Sequence, residues 1–208
     1  MEKVIGIISY LPDDESISAK RKEKLERLVA RCNELFNLPI IIIAQNWKDY
    51  KPDLVNCKVF SHINRLGIVG ARRELRNVFL SSGYDYLIML DDDCNIVGSK
   101  SAADSYLREI EKHPSGAGLF KGPQLKLFAI SKDIFSKVDF RDVNPENGEG
   151  FEDTLFVSDI CKEFANLVYK FPRNTDLGET SVGANDPLST WFDGHNLKEM
   201  LRKTEELK

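Results

Sequence analysis

The chain has 208 residues, of which 42% are hydrophobic and 30% are charged, and its formal net charge is −4. This is enough chain for one globular α/β domain, and the acidic balance argues against a dedicated nucleic-acid-binding protein, which would cluster Lys and Arg. No stretch approaches the roughly 18 apolar residues of a membrane span, and no targeting signal is recognised, so we expect a cytoplasmic protein.

The first half of the chain alternates predicted strands with predicted helices. The predicted strands are residues 4–10, 40–44, 55–63 and 84–90. One helix is predicted from Ala19, after a polar loop, and another over residues 70–82. The first helix has a densely charged outer face, which is either a solvated surface or a basic patch, and its interleaved acids favour the solvated surface. The β-α-β-α-β order predicts a parallel, Rossmann-like sheet with right-handed crossovers.

The pattern of the second half is less regular. Helices are predicted at residues 101–112, 131–138 and 152–163 and from Asn196, and strands within 118–130 and at 166–171. Residues 141–150 and 173–187 contain glycines and few apolar side chains, which is typical of loops near a site. We expect a single domain over residues 1–208, with a first half at about 1–98 and a second at about 99–208.

The four cysteines are widely separated along the chain. They are Cys32, Cys57, Cys94 and Cys161, and no two of them form a CxxC pair. This spacing argues against a structural zinc site and against a disulfide framework in a chain of this size. We therefore expect reduced thiols.

Three aspartates, Asp91, Asp92 and Asp93, directly follow the apolar run at residues 87–90. Ligands of open α/β sheets bind at the carboxyl ends of the strands. Adjacent carboxylates repel one another unless a cation or hydrogen-bond donors offset their charge, and oxygen ligands suit Mg²⁺ or Mn²⁺. Because side chains alternate along a strand, Asp91 and Asp93 should face one way and Asp92 the other. The alternative is an acidic turn that caps the next helix.

The segment before this strand, residues 64–77, contains Gly70-Ala71-Arg72. A Gly-Ala-Arg-x-x-Asn-like helix followed by a strand that ends in DxD resembles the nucleotide-sugar half of the GT-A glycosyltransferases, particularly family two. The resemblance covers roughly residues 1–195 in outline. It implies the α/β GT-A fold, in which helices flank a central, mostly parallel sheet and a smaller half lies on the acceptor side.

The resemblance also implies roles for single residues. Asp91 would contact the ribose or sugar of a nucleotide-sugar donor, Asp93 would bind the metal ion, and Arg72 would lie near the nucleotide. An Arg at a helix N-terminus can also contact a diphosphate because the helix dipole and the guanidinium both favour an anion. The alternative is that Arg72 is only a charge on the surface of the helix. The candidate donor contacts are Asp91, Asp92, Arg72, Tyr10 and Asn46.

The sequence identifies the nucleobase of the donor less clearly than it identifies the contacts to the sugar and the metal ion. Tyr10 ends the first strand and can stack on a base, and Asn46 follows the second strand and can hydrogen-bond to one. Family two enzymes often place an acid there that reads uracil, whereas this chain has no acid after that strand before Asp49. We still expect a UDP-sugar as donor, with Mn²⁺ or Mg²⁺ as cofactor.

Glu152 and Asp153 open a predicted helix, and Asp153 lies sixty residues beyond Asp93. Acids are favoured at helix N-termini, so both could be only partners of the helix dipole. The resemblance implies instead a catalytic Glu-Asp pair in which Asp153 is the general base. Such a base takes a proton from the acceptor hydroxyl as its oxygen attacks the anomeric carbon, and a single displacement inverts the anomeric configuration.

His195 follows the second loop-like segment. Many GT-A enzymes supply a late histidine to the metal, so the resemblance implies Asp91, Asp93 and His195 as ligands, and a surface or core histidine is the alternative. The nearby Trp191 could pack against a sugar or within the core. Phe120, Lys121 and Gln124 are candidate acceptor contacts, and the acceptor itself is not identified by the sequence. A second copy of the chain could complete the acceptor side as a homodimer.

Three classes of function follow from these features. The first is a metal-dependent, inverting glycosyltransferase (hexosyltransferase class). The second is a nucleotidyltransferase or sugar-nucleotide pyrophosphorylase, but the Gly-rich loop of that class is missing after the first strand, at residues 9–12. The third is a non-catalytic nucleotide-sugar-binding domain, in which the acids only cap helices.

Overall fold

A seven-stranded mixed sheet organises the chain, in the strand order β3-β2-β1-β4-β7-β6-β8. The computed structural model describes residues 1–119, 126–142, 152–175, 177 and 180–181. The strands are β1 (Lys3–Tyr10), β2 (Ile40–Gln45), β3 (Cys57–His62), β4 (Tyr86–Asp91), β5 (Cys94–Asn95), β6 (Ala117–Leu119), β7 (Phe128–Ser131), β8 (Val168–Lys170) and β9 (Thr180–Ser181). The helices are α1 (Glu15–Leu35), α2 (Gly67–Leu80), α3 (Lys100–Glu111), α4 (Lys132–Phe135) and α5 (Glu152–Glu163).

The first four strands of the sheet are parallel, as the β-α-β-α-β pattern predicts. β1 pairs with β2 and β4, and β2 pairs with β3. β7 runs antiparallel to both β4 and β6, and β8 is parallel to β6. β5 and β9 form a separate antiparallel pair. The predicted α/β fold with a mostly parallel, helix-flanked sheet is confirmed.

Hydrophobic residues on both faces of the central strands explain why helices cover the sheet on two sides. Alternate residues of β2 enter two different clusters: Ile40 and Ile42 pack with α1 and α3, and Ile41 and Ile43 pack with α2, α4 and α5. Gly6 of β1 lets α2 approach closely, since a Cβ there would lie 2.8 Å from the Leu75 methyl groups. Near-continuous apolar strands of this kind are typical of parallel sheets that are buried on both faces.

Two helices begin earlier than the sequence pattern predicts. α1 begins at Glu15 rather than Ala19, because the Asp14 side chain accepts hydrogen bonds from the backbone of Ser16 and Ile17 and so caps the helix. α2 begins at Gly67 rather than residue 70, and Gly67 has the positive φ of 72° that the turn requires. Arg72 therefore lies in the second turn of α2 and not at its N-terminal amides.

Elements of the second half agree with the prediction less closely. α5 has the predicted bounds, whereas α4 is shorter than predicted and β8 is preceded by a 3-10 turn at Ala165–Leu167. The β5–β9 pair was not predicted. Residues 120–125, 143–151 and 182–208 lie outside the described part. Within the described residues, no helix combines the length and the apolar character needed to cross a membrane.

Candidate functional site

The candidate site lies where the parallel strands end. Because β1, β2, β3 and β4 are parallel, their carboxyl ends meet at one edge of the sheet. This edge brings together Tyr10, Gln45, His62 and Asp91, which are the last residues of the four strands. The aspartate triplet thus occupies the position predicted for it.

Asp91 and Asp92 point to opposite sides of the sheet, as the alternation of a strand requires. Asp91 is directed towards Arg72 of α2, with Oδ1 3.4 Å from the Arg72 Nη2. Asp92 is only 6% exposed, and its carboxylate accepts hydrogen bonds from Ser9 Oγ at 2.8 Å and from Arg21 Nη1 of α1 at 3.2 Å. The Asp92 carboxylate therefore has its partners within the protein.

Arg72 is the centre of an acidic cluster, hereafter the Arg72 cluster, made of Arg72, Asp91, Glu152 and Asp153. Its Nη2 lies 2.9 Å from Asp153 Oδ1, 3.4 Å from Asp91 Oδ1 and 3.6 Å from Glu152 Oε1. Arg72 is 1% exposed. The fold thus joins the end of β4 to the start of α5, and brings the two acidic segments of the sequence into one site.

The two acids at the start of α5 differ in their access to solvent. The Glu152 side chain is 3% exposed, whereas the Asp153 side chain is 24% exposed. Only the second is open to an incoming molecule. This difference in exposure favours Asp153 as the group that contacts a substrate.

The Arg72 cluster carries more negative than positive charge, since one guanidinium faces three carboxylates. Burial raises the pKa of Asp153, the Arg72 guanidinium opposes that shift, and the charges of Glu152 and Asp91 add to it. The net pKa of the Asp153 carboxyl lies above its ordinary value. A raised pKa makes this carboxylate a better proton acceptor than an exposed aspartate would be.

Asp93 has features that fit a cation. Its Oδ1 is buried and has no hydrogen-bond partner among the described residues. Burial raises the pKa of Asp93, the charge of Asp91 raises it further, and Lys126, Arg21 and Lys24 oppose the shift. Mg²⁺ sites often use one or two carboxylates, with substrate phosphates and water as further ligands. No group of three or more acidic, His or Cys side chains within the described ranges is arranged as a complete metal site.

The two predicted base contacts take part in contacts of the protein itself. Asn46 has a φ of 56°, and its Nδ2 donates to Leu11 O at 2.7 Å and to Asp13 Oδ1 at 3.2 Å. The Tyr10 ring is partly exposed and lies under the Arg65 guanidinium, with 5.0 Å between the Arg65 Cζ and the ring centroid. The role of Tyr10 and Asn46 as base contacts stays a prediction.

Several residues that shape the site were not identified from the sequence. Ser9 Oγ, which binds Asp92, accepts a hydrogen bond from Trp47 Nε1 at 3.3 Å. In the sequence, nothing distinguishes Arg21 from the other charged residues of the first helix. The Oε1 of the buried Gln45 accepts a hydrogen bond from Leu66 N at 2.8 Å and so positions the turn before α2. No local pattern marks these contacts, because each joins residues far apart in sequence.

His195, Trp191, Phe120, Lys121 and Gln124 lie outside the described residues. The proposed third metal ligand and the acceptor contacts therefore stay predictions. Of the three predicted metal ligands, the structure describes Asp91 and Asp93.

Comparisons with known proteins identify the fold. No protein-family model matches the chain, and no curated protein matches it. Among solved structures, S. aureus TarS 1-349 in complex with UDP-GlcNAc superposes with a TM-score of 0.57 at 12% identity, over 82% of this chain and 56% of that one. CMP:2-keto-3-deoxy-manno-octonic acid synthetase complexed with CTP superposes with a TM-score of 0.53 at 10% identity, over 82% of this chain and 89% of that one.

A longer form of S. aureus TarS gives a TM-score of 0.52 at 15% identity, over 83% of this chain and 35% of that one. The chain thus spans about half the length of the TarS 1-349 fragment and about a third of the longer form. TarS is a GT-A glycosyltransferase, and the synthetase is a nucleotidyltransferase with the same fold. At these identities the comparisons show the fold, and they confirm the α/β, GT-A-type architecture.

Proposed function

We propose that this chain is an inverting glycosyltransferase that moves a sugar from a nucleotide-diphosphate donor to an acceptor hydroxyl. The observation that carries the proposal is the Arg72 cluster, which unites the acid at the end of β4 with the acids at the start of α5. A transferase of this kind needs a carboxylate that binds the donor and a second carboxylate that activates the acceptor. Asp91 and Asp153 are separated by sixty-two residues in sequence, yet both contact Arg72 Nη2.

Asp153 is the proposed general base. The acceptor oxygen attacks the anomeric carbon, the bond from that carbon to the donor diphosphate breaks, and the hydroxyl proton passes to Asp153. Glu152 is buried against Arg72 and helps to hold its guanidinium in place. One displacement with one base inverts the configuration at the anomeric carbon.

The proposed donor is a UDP-sugar, and the proposed cofactor is Mn²⁺ or Mg²⁺. A bound divalent cation would offset the charge of the departing diphosphate. Asp93 and Asp91 would hold it, and the buried Asp93 Oδ1, which has no hydrogen-bond partner in the described part of the chain, supports this assignment. The TarS complex with UDP-GlcNAc supports the donor class, since the superposition covers 82% of this chain.

The connection between β1 and α1 favours this reaction over nucleotidyl transfer. Nucleotidyltransferases of this fold are expected to hold a triphosphate on a Gly-rich, basic loop after the first strand. In this chain the connection contains Asp13 and Asp14, which pair with Lys48 and cap α1, respectively. Two acids at that position would repel a triphosphate.

The proposal is tested by replacing the proton acceptor alone. Asp153→Asn keeps the size and polarity of the side chain but removes the base, so transfer from the accepted nucleotide-sugar should fall by about 10²–10⁴-fold. The affinity for the donor should stay near that of the wild type. Product formation and donor binding are measured separately, by chromatography of the released nucleotide diphosphate and by calorimetry.

Asp159→Asn is a matched control on the same helix. Asp159 pairs with Arg141 and lies away from the Arg72 cluster, so transfer should stay near the wild-type rate. If Asp153→Asn retains most of the activity, Asp153 is not the base. If the wild-type chain instead consumes CTP and a sugar acid while releasing pyrophosphate, the chain is a nucleotidyltransferase.

A further inference from the structure

Arg72 is too deeply buried, and too closely paired, to serve simply as a contact for the donor diphosphate. It is 1% exposed, and its Nη2 lies within 3.6 Å of all three carboxylates of the Arg72 cluster. It also lies in the second turn of α2, so it does not share an anion site with the helix N-terminus. A donor phosphate at Nη2 would have to displace at least one carboxylate, and Nε is buried.

The contacts of Arg72 connect three elements that are distant in sequence. The side chain extends from α2, Asp91 ends β4, and Glu152 and Asp153 open α5. The Phe140 ring lies on the guanidinium, with 5.7 Å between the Arg72 Cζ and the ring centroid. The guanidinium is thus held by charge and by an aromatic face, which leaves it little freedom to move.

The contact with Asp153 involves one oxygen of that carboxylate. Oδ1, at 2.9 Å from Arg72 Nη2, is buried, while the side chain as a whole remains 24% exposed. The Asp153 side chain is thus paired with Arg72 through a buried oxygen and is still partly open to solvent, so an acceptor can approach it.

We propose that Arg72 is a positioning residue, which fixes Asp153 beside Asp91 so that proton removal and donor binding occur at one place. The role rests on the proposed glycosyl transfer. Arg72 holds the Asp153 carboxylate through one oxygen, and this carboxylate receives the proton of the acceptor. Without the guanidinium, three carboxylates would repel one another, and the start of α5 would move away from the end of β4.

Lysine cannot replace arginine in this role. The planar guanidinium spreads its charge and presents several N–H donors in a fixed arrangement, whereas a lysine ammonium is a compact charge on a flexible chain. Arg72→Lys therefore preserves the charge of the cluster and loses the orientation. The substitution separates a positioning role from a purely electrostatic one.

The test compares donor binding with turnover. Arg72→Lys should lower kcat by about 100-fold, the loss expected when a reacting group is misplaced by about 1 Å. The dissociation constant of the donor should change by less than about threefold. In the Asp153→Asn background, Arg72→Lys should lower the remaining activity by less than about threefold, because the base that Arg72 positions is already absent.

Arg73→Lys is the matched control on the neighbouring position of α2. Arg73 donates to Phe140 O and Asp142 and does not belong to the Arg72 cluster, so kcat should stay within about threefold of the wild type. An equal loss in donor affinity and in kcat for Arg72→Lys would overturn the proposal and make Arg72 a donor contact. Losses that multiply in the double variant would overturn it as well.

A stability measurement tests the link between Arg72 and Asp153 even if the protein shows no transferase activity. If the wild-type chain turns over no nucleotide-sugar, the proposed function fails, and the link between Arg72 and Asp153 is then judged from urea unfolding. The effect of Arg72→Lys on the unfolding equilibrium constant should differ at least tenfold between the wild-type and Asp153→Asn backgrounds. Equal effects in both backgrounds would mean that Arg72 does not hold Asp153.

Discussion

Asp92 shows how one residue of the aspartate triplet serves the framework while its neighbour Asp91 faces the Arg72 cluster. Its carboxylate binds Ser9 of β1 and Arg21 of α1, on the opposite side of the sheet from Arg72. Burial raises the pKa of Asp92 to about 6, and Arg21 opposes that shift. Asp92 thus connects β1, α1 and the turn after β4.

Removing Asp92 should therefore destabilise the fold. Asp92→Ala removes the carboxylate that binds Arg21 and Ser9, and the loss of one member of a largely buried ion pair costs about 3 kcal/mol or more. Urea unfolding measures this cost. Asp104→Ala, which breaks the exposed pair of Lys100 and Asp104, should change stability by less than about 1 kcal/mol. Equal losses in both variants would contradict the framework role of Asp92.

Part of the site could be predicted residue by residue. Because side chains alternate along a strand, the sequence was enough to predict that Asp91 and Asp92 face opposite sides of the sheet. The apolar run before the triplet was enough to predict that the aspartates lie at the end of a strand. Arg72 was found, but its partners were not, because its pairing with Glu152 and Asp153 depends on where α5 lies in the folded chain. Long-range ion pairs of this kind leave no local signal.

At the scale of elements, a close backbone contact holds Leu177 against the segment that follows β5. Val97 N and Gly98 N both donate to Leu177 O, at 3.1 and 2.6 Å. A Cβ on Gly98 would lie 2.5 Å from the Leu177 Cα, and the backbone there cannot move aside as a flexible side chain could. The position therefore requires glycine.

Gly98→Ala should separate the two segments. The overlap should cost about 1–3 kcal/mol and should speed hydrogen exchange at the amides of Val97 and residue 98. Gly83→Ala is the matched control, because no atom lies within 4 Å of a Cβ built there, and its effect should stay within about 0.5 kcal/mol. Unchanged exchange at residues 97 and 98 in Gly98→Ala would disprove this packing.

Helix ends were the least predictable feature of the elements. The apolar period located the body of α1 but not its start, which depends on the capping side chain of Asp14. For α2, the sequence contains two glycines close together, and only the backbone geometry shows that Gly67 makes the turn. The small β5–β9 pair was missed because each strand has only two residues.

At the scale of the whole molecule, the packing of helices on both faces of the sheet determines which thiols are accessible. Cys32 and Cys94 are buried in the cluster that contains α1 and α3, Cys57 is half-buried, and Cys161 is exposed. Burial raises the pKa of Cys32 to about 12 and that of Cys57 to about 11. Thiol reactivity depends on both exposure and the fraction of thiolate.

A thiol-specific reagent at pH 8 should therefore distinguish the cysteines of the native protein. Cys161 should react first and Cys57 more slowly, and Cys32 and Cys94 should react only after unfolding in denaturant. The absorbance of the released thiolate and the mass of the labelled peptides give the order. Simultaneous reaction of all four cysteines without denaturant would contradict the described packing.

The overall sheet was largely predictable, since apolar runs and helix periods are strong signals for a parallel β-α-β unit. The antiparallel position of β7 between β4 and β6 was not predictable, because a four-residue strand fits several positions in a sheet. The function was approached through the resemblance of two short acidic segments. Their meeting at Arg72 supports that interpretation on geometric grounds that the sequence does not contain.

The most direct test of the account is calorimetric titration of the wild-type chain with UDP- and GDP-sugars, beginning with UDP-GlcNAc, in Mn²⁺ and in chelator. At least one nucleotide-sugar should bind about tenfold or more tightly in Mn²⁺, and Asp93→Asn should remove this difference. If no nucleotide-sugar binds more tightly with the metal than without it, the metal-dependent glycosyltransferase proposal is contradicted.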